Sequence, residues 1–274
     1  MIYKTAKGIT MPALGLGTFE LTGPEGVAAI RSAIEHGYRH IDTAVRYGNE
    51  AEVGQAIREA GVPREDLFVT TKVWFDSLAP DQVRQSMANS LDRLQMDYVD
   101  LFLVHWPGRE VPMCDTLAAF TEARDTGRTR SIGVSNFTVP LLAEAIDTCG
   151  AELVNNQIEY HPLLAQKKLL ASARARDMIV TAYQPIARGA VFKEPEIVKI
   201  GETHGKSAAQ VALRWLVQQD NVAAIPRSSR IENIKANFDI FDFELSEAEM
   251  ATISGLDRQE RKSDFEWAPE WDAA

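Results

Sequence analysis

The sequence predicts an α/β protein of the (β/α)8 TIM-barrel class, preceded by an N-terminal β-hairpin and followed by a C-terminal tail. Three observations predict it. Short β-branched or aliphatic runs alternate with longer amphipathic runs from about residue 25 to residue 254, and eight of the short runs can be counted. Those runs are nearly unbroken apolar stretches, as expected of parallel strands covered by helices. No Pro/Gly/Ser-rich linker divides the chain, so its 274 residues, an ordinary length for a barrel, read as one unit spanning 1–274. An open, doubly wound sheet shares the first two features; eight units favour closure.

In chain order, Ile2 and Tyr3 and then Ile9 and Thr10 flank Lys7-Gly8, a hairpin able to plug one barrel end. The candidate strands follow at 14–17, 39–42, 68–72, 99–105, 131–135, 154–157, 179–183 and 222–226. The first helices have the period of amphipathic α-helices: Val27, Ile30 and Ile34 before Gly37; Val53, Ile57 and Ala60 before Gly61; Val83, Met87, Leu91 and Leu94 before Asp97. In two of the three, glycine stands where a left-handed C-cap would end the helix. Another helix is expected to begin near Asp115, which leaves a short loop after His105 and an open pocket. The tail after Leu256 is polar and aperiodic with two tryptophans, a surface extension able to lean over a site.

Composition narrows the partners. Lys and Arg number 29 against 39 Asp and Glu, a net charge of −10 that opposes binding to nucleic acid or an anionic membrane surface. The longest apolar stretches fall far short of the ~20 residues that span a bilayer. Two cysteines, Cys114 and Cys149, cannot form a disulfide framework, and the opening residues lack the apolar core of a signal peptide. A cytoplasmic monomer acting on a small molecule is expected.

Several suggestive motifs fail on detail. Gly15-Leu16-Gly17-Thr18-Phe19-Glu20 has Glu where a dinucleotide fingerprint needs its third glycine. The stretch from Gly201 to Ser207 has three residues between its glycines where a Walker A loop needs four; it reads instead as a junction of two helices, with Ser207 as N-cap of Ala208–Gln218. Gly133-Val134-Ser135-Asn136-Phe137 lacks the second glycine of a nucleophile elbow. Histidines at 36, 40, 105, 161 and 204 show no metal-ligand spacing, so no metal site is expected.

What carries chemistry is position. A polar or ionisable residue closes nearly every predicted strand: Asp42, Lys72, His105, Ser135, Gln157, Tyr183 and Arg227. In a parallel barrel all strand C-termini open on one face, where barrel active sites lie. Taken singly, Asp42 could cap a turn, Lys72 could snorkel, His105 could be a hydrogen-bonded core histidine and Tyr47 an ordinary surface aromatic. Their coincidence on one face changes the balance.

The strings that hold these residues resemble the aldo-keto reductases. They are Gly37-Tyr-Arg-His-Ile-Asp42-Thr-Ala-Val-Arg-Tyr47-Gly-Asn-Glu50, Thr71-Lys72-Val-Trp74, Asp97-Tyr-Val-Asp-Leu-Phe-Leu-Val-His105-Trp106-Pro107, Ile132-Gly-Val-Ser135-Asn136-Phe137 and Asn156-Gln157-Ile-Glu159. The similarity covers essentially the whole chain and is greatest to the bacterial 2,5-diketo-D-gluconate and methylglyoxal reductases. It implies a catalytic tetrad of Asp42, Tyr47, Lys72 and His105 and reduction of aldehydes or keto-sugars with NADPH. Reduction puts negative charge on oxygen, so a proton donor must stand within reach. Tyr47 is that donor, with Lys72 expected to make its proton easier to give, Asp42 to hold Lys72, and His105 to bind the substrate oxygen.

The resemblance further implies that Ser135, Asn136 and Gln157 bind the nicotinamide carboxamide and that Tyr183 stacks on the ring. Arg227, Ser228 and Arg230, with Asn237 in the helix that follows, would receive the 2′-phosphate of NADP. Arg227 stands where the family usually has Lys, and Asn233 where it usually has Arg, so NADH is expected as a weaker substitute. Phe19, Trp74, His105 and Trp106, with Trp267 or Trp271 of the tail, would line the substrate pocket. The alternatives are an NADP(H)-binding regulatory or sensing protein with little turnover, and a barrel isomerase or hydrolase, which would not need the Arg-Ser loop.

Overall fold

The computed structural model describes residues 1–272, so Ala273 and Ala274 of the expected tail lie outside the described residues. The hairpin is longer than the sequence indicates. Strands β1 (Tyr3–Ala6) and β2 (Ile9–Pro12) pair antiparallel around Lys7-Gly8, with φ of 47° and 78°. Two successive positive φ angles give the turn whose twist matches the flanking strands, and a glycine at the second makes it inexpensive.

The barrel strands are β3 (Leu16–Gly17), β4 (His40–Asp42), β5 (Phe68–Val73), β6 (Val99–Val104), β7 (Thr129–Ser135), β8 (Leu153–Glu159), β9 (Ile179–Tyr183) and β10 (Val222–Ala224). They form an eight-stranded parallel sheet in sequence order. The two edges meet through a parallel bridge between Leu14 and Ala224 and hydrogen bonds from Gly15 N to Ala224 O and Gly17 N to Pro226 O. The barrel is therefore closed. This seam also explains the failed dinucleotide fingerprint. A Cβ on Gly15 would stand 2.6 Å from the His40 ring, and one on Gly17 2.9 Å from Ile225 O, so both glycines serve strand packing.

The helices are α1 (Gly23–His36), α2 (Glu50–Glu59), α3 (Pro80–Leu94), α4 (Met113–Asp125), α5 (Val139–Ala143), α6 (Lys167–Ala175), α7 (Pro195–His204), α8 (Ala208–Gln218), α9 (Ile231–Phe238) and α10 (Glu247–Ser254). Among the described residues none is long and apolar enough to cross a membrane. Gly37 caps α1 at φ 118°, and Gly61 follows α2 at φ 67°. The third helix ends without glycine, on Gln95 at φ 56°. Ser207 caps α8 as expected: its hydroxyl accepts from Gln210 N while Gln210 Oε1 accepts from Ser207 N.

Helices and the outer faces of the strands share one large apolar core, from Leu14 and Ile30 round to Trp215 and Ile253. A second, smaller cluster joins Phe68, Leu101, Leu103, Val154, Ile179 and Ala223 to Ala6 and Met11 of the hairpin. The hairpin thus stops one end of the barrel. The sequence anticipates no disulfide framework; the structure joins the two cysteines in one bond, Cys114 to Cys149, which ties the start of α4 to the chain after α5.

Candidate active site

At the end opposite the hairpin, the strand-closing residues converge. Asp42 and Lys72, at the ends of the neighbouring strands β4 and β5, are 1% and 0% exposed and form an ion pair with Nζ to Oδ1 of 2.6 Å. Burial this complete costs several kcal/mol per ion unless the remaining valences are filled. Here they are filled: Lys72 Nζ also donates to Thr43 O at 2.8 Å, and Asp42 Oδ2 accepts from Gln157 Nε2 at 2.7 Å. The third direction from Nζ leads to the Tyr47 hydroxyl at 3.5 Å.

Tyr47 reaches this place because the chain after β4 makes a single 3-10 turn, Val45–Tyr47, closed by Gly48 at φ 66°. Asn49, fully buried, pins the turn: its Nδ2 donates to Thr18 O and Leu21 O, and its Oδ1 accepts from Thr43 Oγ1. Glu50, also buried, accepts from Thr71 on the outer side of β5 and from Arg93 on α3. These two residues and Thr43 escape sequence reasoning as positioning groups. Polar side chains directly after Tyr47 were the available signal, but their partners lie up to 43 residues away.

His105 follows β6, its ring edge-on to Tyr47 at 5.6 Å and to Trp74 at 5.0 Å. Burial, with Lys72 and Arg46 nearby, holds its pKa well below the ordinary value, so the ring is neutral. Among the described residues its buried Nδ1 has no hydrogen-bond partner. A proton there would be an unsatisfied donor, which favours the tautomer with Nε2–H facing the pocket. For Tyr47, burial and the Asp42 carboxylate push the pKa well above the ordinary tyrosine value, against the lowering expected from Lys72. Burial also lowers the pKa of Lys72, opposed by Asp42 and Glu50. In this environment desolvation outweighs the help an ammonium gives to a phenolate.

The other predicted residues sort into three groups. Ser135, Asn136 and Tyr183 form a chain beside the tetrad: Tyr183 Oη donates to Asn136 Oδ1 at 2.8 Å, Asn136 Nδ2 donates to His105 O and Ser135 Oγ, and Ser135 Oγ donates to Gln157 O. Asn136 adopts φ 63°, a left-handed conformation asparagine tolerates better than most residues. Gln157 belongs to both sets, since its amide nitrogen is spent on Asp42 while its Oε1 makes no hydrogen bond among the described residues.

Arg227, Ser228 and Arg230 lie between β10 and α9. Arg227 folds back, donating to Phe19 O and Glu20 O, with the Glu20 carboxylate 3.7 Å away. Ser228 Oγ accepts from Arg230 N at the start of α9, and Arg230 is exposed. Asn237 is buried in the last turn of the same helix, about 10 Å along the axis from its start.

Of the aromatic residues, Phe19 meets Tyr47 edge-on at 5.2 Å and is 51% exposed. Trp74 leans on His105. Trp106 is buried beneath the tail, against Phe265 and Trp271. Trp267 stacks on Phe75 and meets Trp74. The tail is fastened across this face by Lys262 N and Ser263 N donating to Glu159, Arg109 to Ala268 O, and Val139 N to Asp272.

The chain is similar to known proteins along nearly its whole length. The methylglyoxal reductase DkgB of Escherichia coli O157:H7 is 41% identical over 268 residues, covering 96% of this chain and 100% of the relative. The glyoxal reductase of Bacillus subtilis is 41% identical over 259 residues, 94% of this chain and 93% of the relative. A crystal structure assigned as a 2,5-diketo-D-gluconic acid reductase B superposes with a TM-score of 0.96 at 45% identity, covering 99% of this chain and 97% of the other. The aldose reductase of Schistosoma japonicum superposes at 0.92 with 32% identity, over 98% and 99% of the two chains. Residues 13–258 match the aldo/keto reductase family, and the chain belongs to it.

Proposed function

We propose that the chain is one aldo-keto reductase barrel over 1–274 that reduces aldehydes and keto-sugars, of the methylglyoxal or 2,5-diketo-D-gluconate type, to alcohols. Tyr47 is the proton donor. The observation that carries this reading is the chain of contacts Asp42, Lys72, Tyr47 beside a neutral His105.

The donor set suits a nicotinamide nucleotide. A neutral carboxamide needs hydrogen-bonding hydroxyls and amides, which Ser135, Asn136 and the free Oε1 of Gln157 supply, and Tyr183 offers a flat ring beside them. Arg227 and Arg230 at the start of α9 suit a phosphate monoester, hence NADPH over NADH. The nucleotide, when bound, supplies the hydride.

The remaining steps belong to the protein. The substrate oxygen lies between Tyr47 Oη and His105 Nε2–H, where the imidazole donates a hydrogen bond and favours the developing alkoxide. Tyr47 transfers its proton to that oxygen. Its raised pKa keeps it protonated across the neutral range, so the donor is always loaded, and the phenolate left behind is relieved by Lys72 at 3.5 Å. Asp42 keeps Lys72 charged and aimed. Carbonyl chemistry of this kind needs only a small-molecule substrate and no nucleic acid or membrane, and fits a cytoplasmic monomer.

Loss of NADPH absorbance with methylglyoxal tests the reading, run in parallel with NADH. Tyr47→Phe should lower kcat by ~10²–10⁴ while nucleotide still quenches the protein fluorescence. Near-normal turnover of the variant would remove Tyr47 from the role. Nucleotide binding without turnover in the unmodified protein would instead favour a sensing protein, and a tenfold preference for NADH would overturn the phosphate site.

A further inference from the structure

The tetrad fixes where the carbonyl goes and says little of what the carbonyl is attached to. Arg46 bears on that question. It is the middle residue of the 3-10 turn that carries Tyr47, and its guanidinium lies over the face of Trp74, 5.4 Å from the ring centroid. Trp74 is the aromatic wall that leans on His105 at 5.0 Å. A guanidinium stacked in this way keeps its N–H donors at its rim, where a planar anion can take two of them.

Arg46 is exposed, makes no hydrogen bond, and has no carboxylate within ion-pair distance among the described residues. The chain as a whole is acidic, with a net charge of −10, and about half of its arginines are spent on carboxylates. Arg84, Arg93, Arg124 and Arg258 all hold carboxylates at 2.5–2.8 Å. The charge of Arg46 is also felt at the floor of the pocket, where it helps to keep the His105 ring neutral.

We propose that Arg46 selects the substrate, its guanidinium binding a carboxylate carried beside the reducible carbonyl, so that oxo-acids are reduced in preference to neutral carbonyls of the same size. The proposal rests on the carbonyl-reductase reading and sharpens it. With the oxygen held by Tyr47 and His105, the rest of the substrate runs outward along Trp74 and meets the guanidinium at the rim. The two substrate types left open above differ in this respect, since methylglyoxal is neutral and 2,5-diketo-D-gluconate carries a carboxylate. An unpaired cation at the mouth favours the second.

The test compares each acid with its methyl ester, succinic semialdehyde against methyl 4-oxobutanoate and 4-carboxybenzaldehyde against methyl 4-formylbenzoate, by kcat/KM with NADPH at low ionic strength. The unmodified enzyme should prefer the acid in at least one pair by about tenfold, chiefly through KM, the scale of a charge-assisted contact at a half-open site. Arg46→Gln should remove that preference and Arg46→Glu reverse it, whereas Arg130→Gln, at the opposite end of the barrel, should leave the ratio as it is. A role limited to propping Trp74 would change acid and ester alike. Should the variants fail to fold, the acid preference of the unmodified enzyme should fall as salt is raised from 20 to 500 mM, about the range over which screening takes hold. Equal kcat/KM for acid and ester, or a ratio that Arg46→Gln does not move, would overturn the proposal while leaving the reductase reading intact. No NADPH oxidation with acid, ester or methylglyoxal would remove both.

Discussion

The two ends of the barrel are made from the same strands and differ in what those strands bury. Along one face of β5 the residues are Phe68, Thr70 and Lys72; along β6 they are Leu101 and Leu103, then His105 just beyond the strand. At the hairpin end an apolar cluster closes the barrel, with Lys4 of the hairpin buried beside it on the Gln219 carbonyl, and each aliphatic side chain withdrawn from water contributes roughly 1.5–3 kcal/mol. At the other end the strands deliver a buried ion pair, a buried glutamine amide and a neutral histidine. Such groups are held at little or no net gain, because desolvation offsets their attraction. The difference teaches that stability and chemistry are separated along the barrel axis, and that the ionic end is kept for what it does.

The largest effect should come from separating these two properties at Lys72. Lys72→Met removes the ionic partner of Asp42 and leaves a carboxylate buried with, among the described residues, Gln157 alone donating to it. It should cost about 3–5 kcal/mol in urea unfolding and lower kcat by at least ~10³. Adding Asp42→Asn removes the stranded charge, so the double variant should regain most of the stability and none of the activity. A double variant as unstable as the single one would show that the pair is structural after all. At the other end, Leu101→Ala should cost about 2–5 kcal/mol with kcat within twofold of normal well below its Tm. A large loss of kcat there would mean that packing near the hairpin is coupled to the site.

How far this division was legible in the sequence depends on the range of the interaction. Residues that close strands could be read directly, because an ionisable side chain ending an apolar run announces itself, and the closed barrel agrees with eight such runs. Local caps were equally readable, as at Ser207 and Gly37. Gln157 could be placed on the right face, yet its bond to Asp42 spans 115 residues and has no local signature. The fold-back of Arg227 onto Phe19 and the joining of Cys114 to Cys149 are likewise set by tertiary approach. The upward shift of the Tyr47 pKa has no sequence signature for a different reason. A neighbouring lysine can be read from motifs, whereas the depth of burial that outweighs it cannot.

His40 lies between the two ends and supplies the smallest test. Its ring is buried against Phe68 at 5.2 Å, and its Nε2 meets Thr70 Oγ1 at 3.2 Å. Burial, helped by Lys72, pulls its pKa down to about 4 from 6.5, although Asp42 and a hydrogen bond to the Pro12 backbone act in the opposite direction. Between these two values the unfolded chain binds a proton that the folded protein refuses, so stability rises with pH across that window. The contribution is complete above pH 6.5 and is lost progressively as pH falls toward 4. Over the part from pH 7 to pH 5 it amounts to about 2 kcal/mol, at ~1.4 kcal/mol per unit below 6.5. His105, also held neutral, adds a loss of the same sign, so the slope of the unmodified protein exceeds that of His40 alone. Subtracting the two curves isolates it: for His40→Asn, the fall in unfolding free energy from pH 7 to pH 5 should be smaller by about 2 kcal/mol. An unchanged fall would mean that His40 takes up its proton in the folded barrel, and that the ionic end reaches deeper along the axis than the apolar cluster suggests.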